Sequence, residues 1–153
     1  MNENDVKMET EKHIARVKQI LRTVTDTLTH RGMVHDRSKF SDEEFPYFVE
    51  YTPKLKDCTY GSDEYKQYLK KLQPALDHHY AKNKHHPEHH KNGIKDMNLI
   101  DIIEMFCDWL AATERHADGD IYKSIEHNKN RFKYGEELES IFNNTAKELK
   151  KEN

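Results

Sequence analysis

Apolar residues recur at three- and four-residue steps along most of this chain, and this spacing limits the folds that are open to it. Side chains at such steps lie on one face of an α-helix. The first repeat, within about residues 5–29, consists of Ile14, Val17, Ile20, Leu21, Val24 and Leu28. The second consists of Tyr65, Tyr68, Leu69, Leu72 and Leu76, and the third of Leu99, Ile102, Ile103, Phe106, Leu110 and Thr113. No stretch carries the alternating pattern of a strand, so the sequence predicts an all-α fold.

Residues that start and stop helices divide the chain into about five to seven predicted helices. Gly32 and Gly119 are expected to end the first and fourth long helices, and Pro74 to bend or interrupt the third. Two shorter helices are predicted near residues 121–131 and 136–150. The candidate N-terminal caps are Ser62, Asn98 and Ser41, the last as a capping box with Glu44.

A chain of 153 residues predicts one domain, here a helical bundle over residues 1–153 with a core over about 5–131 and a C-terminal helix over 135–150. Lysines and acids are interspersed and the net charge is -3, so no footprint for nucleic acid is predicted. No apolar run is long enough for a signal peptide or a membrane span. Cys58 and Cys107 form no CxxC pair, and two thiols favour the cytoplasm. The oligomeric state is left open, with a homodimer as one option.

Six of the eleven histidines fall within residues 78–90, and this cluster is the main chemical feature. Histidine is the commonest metal ligand, so the cluster either binds metal or forms a solvated basic patch. The apolar repeat of the third helix continues onto His79, which is therefore expected to point inward. Pro87 is expected to take His86 out of helical geometry and end that helix.

A second set of polar residues supplies carboxylates. His35 and Asp36 are adjacent, and either they bind metal or Asp36 caps a helix. Asp101, Glu104, Asp108 and Arg115 lie at steps that place them on a polar stripe of the fourth helix. These acids are either metal ligands or ordinary exposed carboxylates.

The order of these residues along the chain, His13, His35-Asp36, His79, His85-His86 and Asp108, resembles the HD-domain superfamily of metal-dependent phosphohydrolases. The stretch from His35 to Lys39 is similar to the HD-x-G-K segment of the HD-GYP branch, with Ser38 in place of glycine, although the GYP tripeptide is missing. The chain also resembles a small bacterial and phage family with HDxSKF, NxHHPE and DxxEMxxDW motifs. The resemblance covers residues 13–115.

The resemblance implies a metal-binding set of His13, His35, Asp36, His79, His85, His86 and Asp108. It implies one or two divalent transition metal ions, chosen from Fe, Mn, Zn, Co and Ni. Catalytic roles are implied for Asp36, Lys39 and Glu104, with Glu104 or Asp101 as substitutes or supports for Asp108. Contacts to the substrate are expected from Lys39, Asn83 and Arg115.

The function implied by the resemblance is hydrolysis of a nucleotide or another small phosphate ester by a metal-activated water. An HD-type di-iron oxygenase is one alternative, since some members of the superfamily with this ligand order activate oxygen. A non-catalytic module that binds a metal or another ligand is the other.

Overall fold

The computed structural model describes residues 2–59, 62–115 and 117–150, and over these residues the chain is all-α, as predicted. The described α-helices are α1 (Glu3–Val34), α2 (Phe45–Asp57), α3 (Asp63–Lys82), α4 (Leu99–Thr113), α5 (Ile121–Phe132) and α6 (Glu136–Lys150). The backbone separates into two compact units, residues 1–35 and residues 36–153, which are described in turn. None of the described helices is both long enough and apolar enough to cross a membrane.

The first unit consists of α1, which is longer than the sequence predicted. It begins at a capping box in which the Asn2 side chain accepts from the Asp5 backbone amide and the Asp5 carboxylate accepts from the Asn2 amide. The expectation that Gly32 ends the helix was wrong, because α1 continues to Val34. A single glycine costs a helix only about 1 kcal/mol relative to alanine, which a helix of 32 residues can tolerate.

In the second unit, α2 and α3 pack against each other. The Ser62 side chain caps α3 by accepting from the Tyr65 amide, as predicted. Leu72 and Ala75 are buried on the predicted apolar face. Pro74 lies inside α3 without interrupting it, so the predicted interruption was wrong. Proline removes one backbone hydrogen bond, and the packing of the buried face offsets that loss.

The main core of the second unit joins α4, α5 and α6. The capping box of Asn98 and Asp101 starts α4, which confirms the predicted cap. The rings of Phe106 and Phe142 are stacked with centroids 5.5 Å apart, and Trp109 meets Phe142 edge-on at 5.4 Å. The buried members of this core are Met105, Phe106, Ile121, Ile125, Tyr134, Phe142 and Ala146.

Three details of α2 and α4 differ from the prediction. Ser41 does not begin a helix, because α2 starts at Phe45 and Glu44 occupies its N-cap position without a side-chain capping bond. The fourth helix ends at Thr113, before Gly119. Leu99 is 76% exposed although it was predicted to face the core, while the acids Asp101 and Glu104 are buried. The face of α4 that looks inward is therefore partly acidic.

Two short 3₁₀ helices, Pro87–His89 and Gly93–Asp96, connect α3 to α4. His86 has an extended backbone with φ -92° and ψ 128°, which confirms that Pro87 takes it out of helical geometry. Gly93 has φ 63°, a left-handed conformation that suits glycine, and its amide donates to the His90 carbonyl in a turn. The histidine-rich stretch is thus an ordered connection that turns back toward α3.

Candidate metal centre

Asp36 begins the second unit and has a left-handed backbone, with φ 55° and ψ 15°. Aspartate tolerates this conformation better than most residues. The turn leads into a 3₁₀ helix, Arg37–Phe40, in which the Lys39 amine donates to Asp36 Oδ2 at 2.7 Å. With Oδ2 held by Lys39, Oδ1 faces the histidines of α3 and of the connection that follows it.

One side-chain atom from each of Asp36, His79, His85 and His86 lies within 4.8 Å of the others. Asp36 Oδ1 is 3.2 Å from His79 Nε2 and 3.4 Å from His85 Nε2. His79 Nε2 is 3.0 Å from His86 Nε2. His79 and His85 are almost fully buried, with 2% and 1% of their surface exposed, so they do not belong to a solvated patch.

These distances are compatible with ligands around one ion. Donor atoms bound ~2.1 Å from a common metal lie ~3.0 Å apart at a right angle and ~3.4 Å apart at the tetrahedral angle. The three measured separations, 3.0, 3.2 and 3.4 Å, fall in this range. Three imidazoles and one carboxylate suit a divalent transition metal. The donor set therefore fits the ion that the sequence predicted.

The two buried imidazoles are each supported from behind by a carboxylate. His79 Nδ1 lies 2.9 Å from Glu44 Oε2, and His85 Nδ1 lies 3.1 Å from Glu104 Oε1. An ionised carboxylate can only accept a hydrogen bond, so a ring nitrogen that faces one is in its donor form. In a neutral ring this leaves the lone pair on Nε2, the atom that faces Asp36. Metal-binding histidines in proteins have this second partner as a rule.

The charge states of the centre also suit a metal. Burial raises the pKa of Asp36, but its side-chain contacts with His79, His85 and Lys39 lower it more, and the net pKa lies far below the usual range. Asp36 is therefore a carboxylate at neutral pH. Burial, followed by the neighbouring rings of His85 and His79, lowers the pKa of His86 to about 3. His86 is therefore a neutral imidazole at neutral pH, the form that binds metal.

Three further predicted residues lie beside this cluster. Asp108 Oδ2 is 3.9 Å from His85 Nε2, so α4 brings it to the edge of the centre. Lys39 is next to Asp36, and 40% of its side chain is exposed. The Asn83 amide donates to Ser38 Oγ at 2.8 Å and to the His79 carbonyl at 2.7 Å. These contacts join the end of α3 to the 3₁₀ helix that follows Asp36.

Of the remaining predicted site residues, two belong to the first unit and one follows α4. His13 lies within α1, and His35 is the C-cap of that helix, so both belong to the first unit. Arg115 was expected on the polar stripe of α4, but it follows the end of that helix at Thr113 and is exposed. The metal-binding roles of His13 and His35 and the substrate contact of Arg115 stay predictions.

The sequence did not assign a role at the site to Glu44, Ser38 or His78. Glu44 was interpreted as part of a helix cap, yet it is 0% exposed and contacts both His78 and His79. His78 is half-buried against Glu44. The sequence signal for this contact was the adjacent pair His78 and His79 on α3. A histidine that is buried needs a hydrogen-bond partner, and an acidic residue can supply one.

The fold and the site together define an all-α protein with a candidate metal centre of one carboxylate and three imidazoles. The chain belongs to a family described as "Family of unknown function (DUF5662)", whose model matches residues 2–152. The comparisons with curated proteins and with solved structures gave no match.

Proposed function

We propose that Asp36, His79, His85 and His86 bind a divalent transition metal ion and that the protein is a metal-dependent phosphohydrolase. The observation that carries this proposal is the convergence of their four side chains, with Nδ1 of both buried histidines on a carboxylate. The candidate ions are Fe, Mn, Zn, Co and Ni. The substrate class is a small phosphate ester or a nucleotide, and this part rests on the ligand order shared with HD-domain proteins.

A divalent ion held here would lower the pKa of a bound water and so supply hydroxide near neutral pH. The roles of the protein side chains follow from their contacts. Asp36 provides the negative ligand and, through Oδ2, places the Lys39 amine next to the centre. Because the Lys39 side chain is partly exposed, its amine can also reach a phosphoryl oxygen of a bound substrate and stabilise the developing negative charge.

Two residues have supporting roles in this proposal. Glu104 accepts from His85 Nδ1, so it orients a ligand instead of acting on the substrate directly. Asn83 fixes the end of α3 against Ser38, which keeps the His79 ring and the Asp36 turn together. Both assignments differ from the catalytic and substrate-binding roles that the resemblance implied for these residues.

Metal analysis of the purified protein, followed by a screen of phosphate esters with Mn²⁺, Co²⁺, Zn²⁺, Ni²⁺ and Fe²⁺, tests the proposal. We expect about one equivalent of metal or more, and release of inorganic phosphate that a chelator abolishes. His79→Ala should lose both metal and activity. His127→Ala is the matched control, because His127 is an exposed histidine of α5 and should leave both unchanged.

The other outcomes identify the alternatives. A coloured, iron-rich protein that consumes oxygen and releases no phosphate would favour the HD-type oxygenase. A protein that binds metal tightly, with neither activity, would favour a non-catalytic binding module. If the wild-type protein binds none of the five ions, the histidines form a hydrogen-bonded cluster with Asp36 and the proposal is wrong.

We also propose the cytoplasm as the location. The support is the state of the two cysteines: Cys58 and Cys107 are both free thiols, and thiols persist in a reducing compartment.

A further inference from the structure

The side-chain carboxyl group of Glu44 is buried and has two histidine partners. Glu44 is 0% exposed. Its Oε1 lies 2.7 Å from His78 Nδ1, and its Oε2 lies 2.9 Å from His79 Nδ1. A carboxylate is costly to remove from water unless it is paired and hydrogen-bonded. The protein therefore keeps this group in its interior with one histidine on each oxygen.

The position of Glu44 explains how it reaches both rings. It lies at the N-cap position of α2, and this helix packs against α3, which carries His78 and His79. Adjacent residues of a helix point about 100° apart, so two neighbouring rings rarely share a partner. Here the two rings approach the carboxylate from either side, one on each oxygen. This arrangement restricts rotation of the His79 ring about its side-chain bonds.

We propose that Glu44 is the positioning residue of the metal centre, which deepens the proposed function and rests on it. By accepting from His79 Nδ1, Glu44 fixes the tautomer that has its lone pair on Nε2, and it aims that atom at Asp36 Oδ1, 3.2 Å away. Glu104 does the same for His85 from α4. The two acids, from α2 and α4, orient one ligand of α3 and one of the connection that follows it, and His78 contacts the other oxygen of Glu44.

The test compares Glu44→Gln with Glu43→Gln in the full-length protein. Glutamine keeps the size of the side chain, but its amide cannot accept from both histidines. Glu43 is the adjacent residue and is exposed, so Glu43→Gln is a matched control. Zn²⁺ affinity, measured by chelator competition, should fall roughly 10- to 100-fold in Glu44→Gln and stay unchanged in Glu43→Gln. The visible absorption spectrum of the Co²⁺ form should change in Glu44→Gln alone.

A purely structural role for Glu44 would lower the stability of the metal-free protein and leave the Co²⁺ spectrum as in the wild type. Urea unfolding in chelator measures the first effect separately. Should Glu44→Gln fail to fold, nitrogen-15 NMR of the Zn²⁺-loaded wild type decides. We expect a proton on His79 Nδ1 and the metal on Nε2, and the reverse assignment would overturn the inference.

The two proposals fail in different ways. If the wild type binds no metal, the proposed function fails and this inference fails with it. If the wild type binds metal, but Glu44→Gln has the same Zn²⁺ affinity and the same Co²⁺ spectrum, only the role of Glu44 is wrong.

Discussion

Asp36 is a predicted metal ligand and also has an unusual, left-handed backbone conformation. The left-handed turn, with φ 55°, directs Oδ1 toward His79 and His85 while Oδ2 stays on Lys39. The sequence indicated Asp36 through its neighbour His35 and through the order of ligands. It could not indicate the turn, because aspartate occurs in many conformations and no glycine marks the position. The geometry of the centre therefore depends on a feature that only the structure reveals.

Asp36→Asn and Asp36→Ala should separate the ligand role from the backbone role. Both variants remove the carboxylate, so both should bind Zn²⁺ at least about tenfold more weakly, because the negative ligand is lost. Alanine also tolerates a left-handed backbone poorly, at a cost of roughly 1–2 kcal/mol, whereas asparagine adopts it readily. Urea unfolding in chelator should therefore find Asp36→Ala about 1 kcal/mol less stable than Asp36→Asn. Equal stabilities would show that the turn relaxes without cost.

His86 gives a prediction about pH for the metal-free protein. Its pKa is lowered to about 3, chiefly by burial, whereas an unfolded chain protonates histidine near the ordinary value of about 6.5. Between these two values the unfolded state binds a proton that the folded state does not, so stability falls as pH falls. The wild type in chelator should lose more stability from pH 7 to pH 5 than His86→Ala, by on the order of 1 kcal/mol. Parallel pH profiles would contradict this.

Two of the three caps predicted from a local side chain were confirmed, whereas the predicted interruptions by a proline and a glycine were wrong. Ser62 and Asn98 cap α3 and α4 as expected, because capping is a contact within three residues, but Ser41 does not cap α2. Pro74 was expected to bend or interrupt α3, and Gly32 to end α1, yet both lie inside helices. In α3 the buried Leu72 and Ala75 supply packing that a local rule does not include. For α3, the prediction failed because this packing is not a local property of the sequence.

Replacing Pro74 with alanine should stabilise the protein. Pro74 is exposed within α3, and proline in a helix interior costs about 3 kcal/mol relative to alanine when nothing compensates. Because the helix already accommodates the ring, we expect a gain of roughly 1–2 kcal/mol in the free energy of unfolding, from a restored backbone hydrogen bond. Urea unfolding measures the gain, and Gln73→Ala, an adjacent exposed site, is the control for helix propensity. A loss of stability would mean that the protein depends on proline at this position.

The candidate centre draws on five separate parts of residues 36–150. Asp36 precedes α2, His79 lies on α3, His85 and His86 lie on the connection, and the supporting acids Glu44 and Glu104 come from α2 and α4. Apolar spacing predicted the helices and placed His79 inward, since both follow from periodicity. It could not predict Glu44, which is separated from His79 by 35 residues and lies outside any repeat. Which acid meets which histidine depends on how the helices pack.

A metal ion that is bound by residues from several segments should stabilise these segments together. An ion that binds only the folded protein adds about 4 kcal/mol at 1,000 times its Kd, so Zn²⁺ should raise the unfolding temperature and chelator should lower it. Amide hydrogen exchange should slow most in α3, in residues 83–90 and in α4, because these segments carry the ligands and their supports. The α5–α6 hairpin, whose core of Ile125 and Phe142 is distant from the ligands in sequence, should change least. In His79→Ala, Zn²⁺ should have neither effect. Protection confined to the exposed His127 region would place the ion elsewhere.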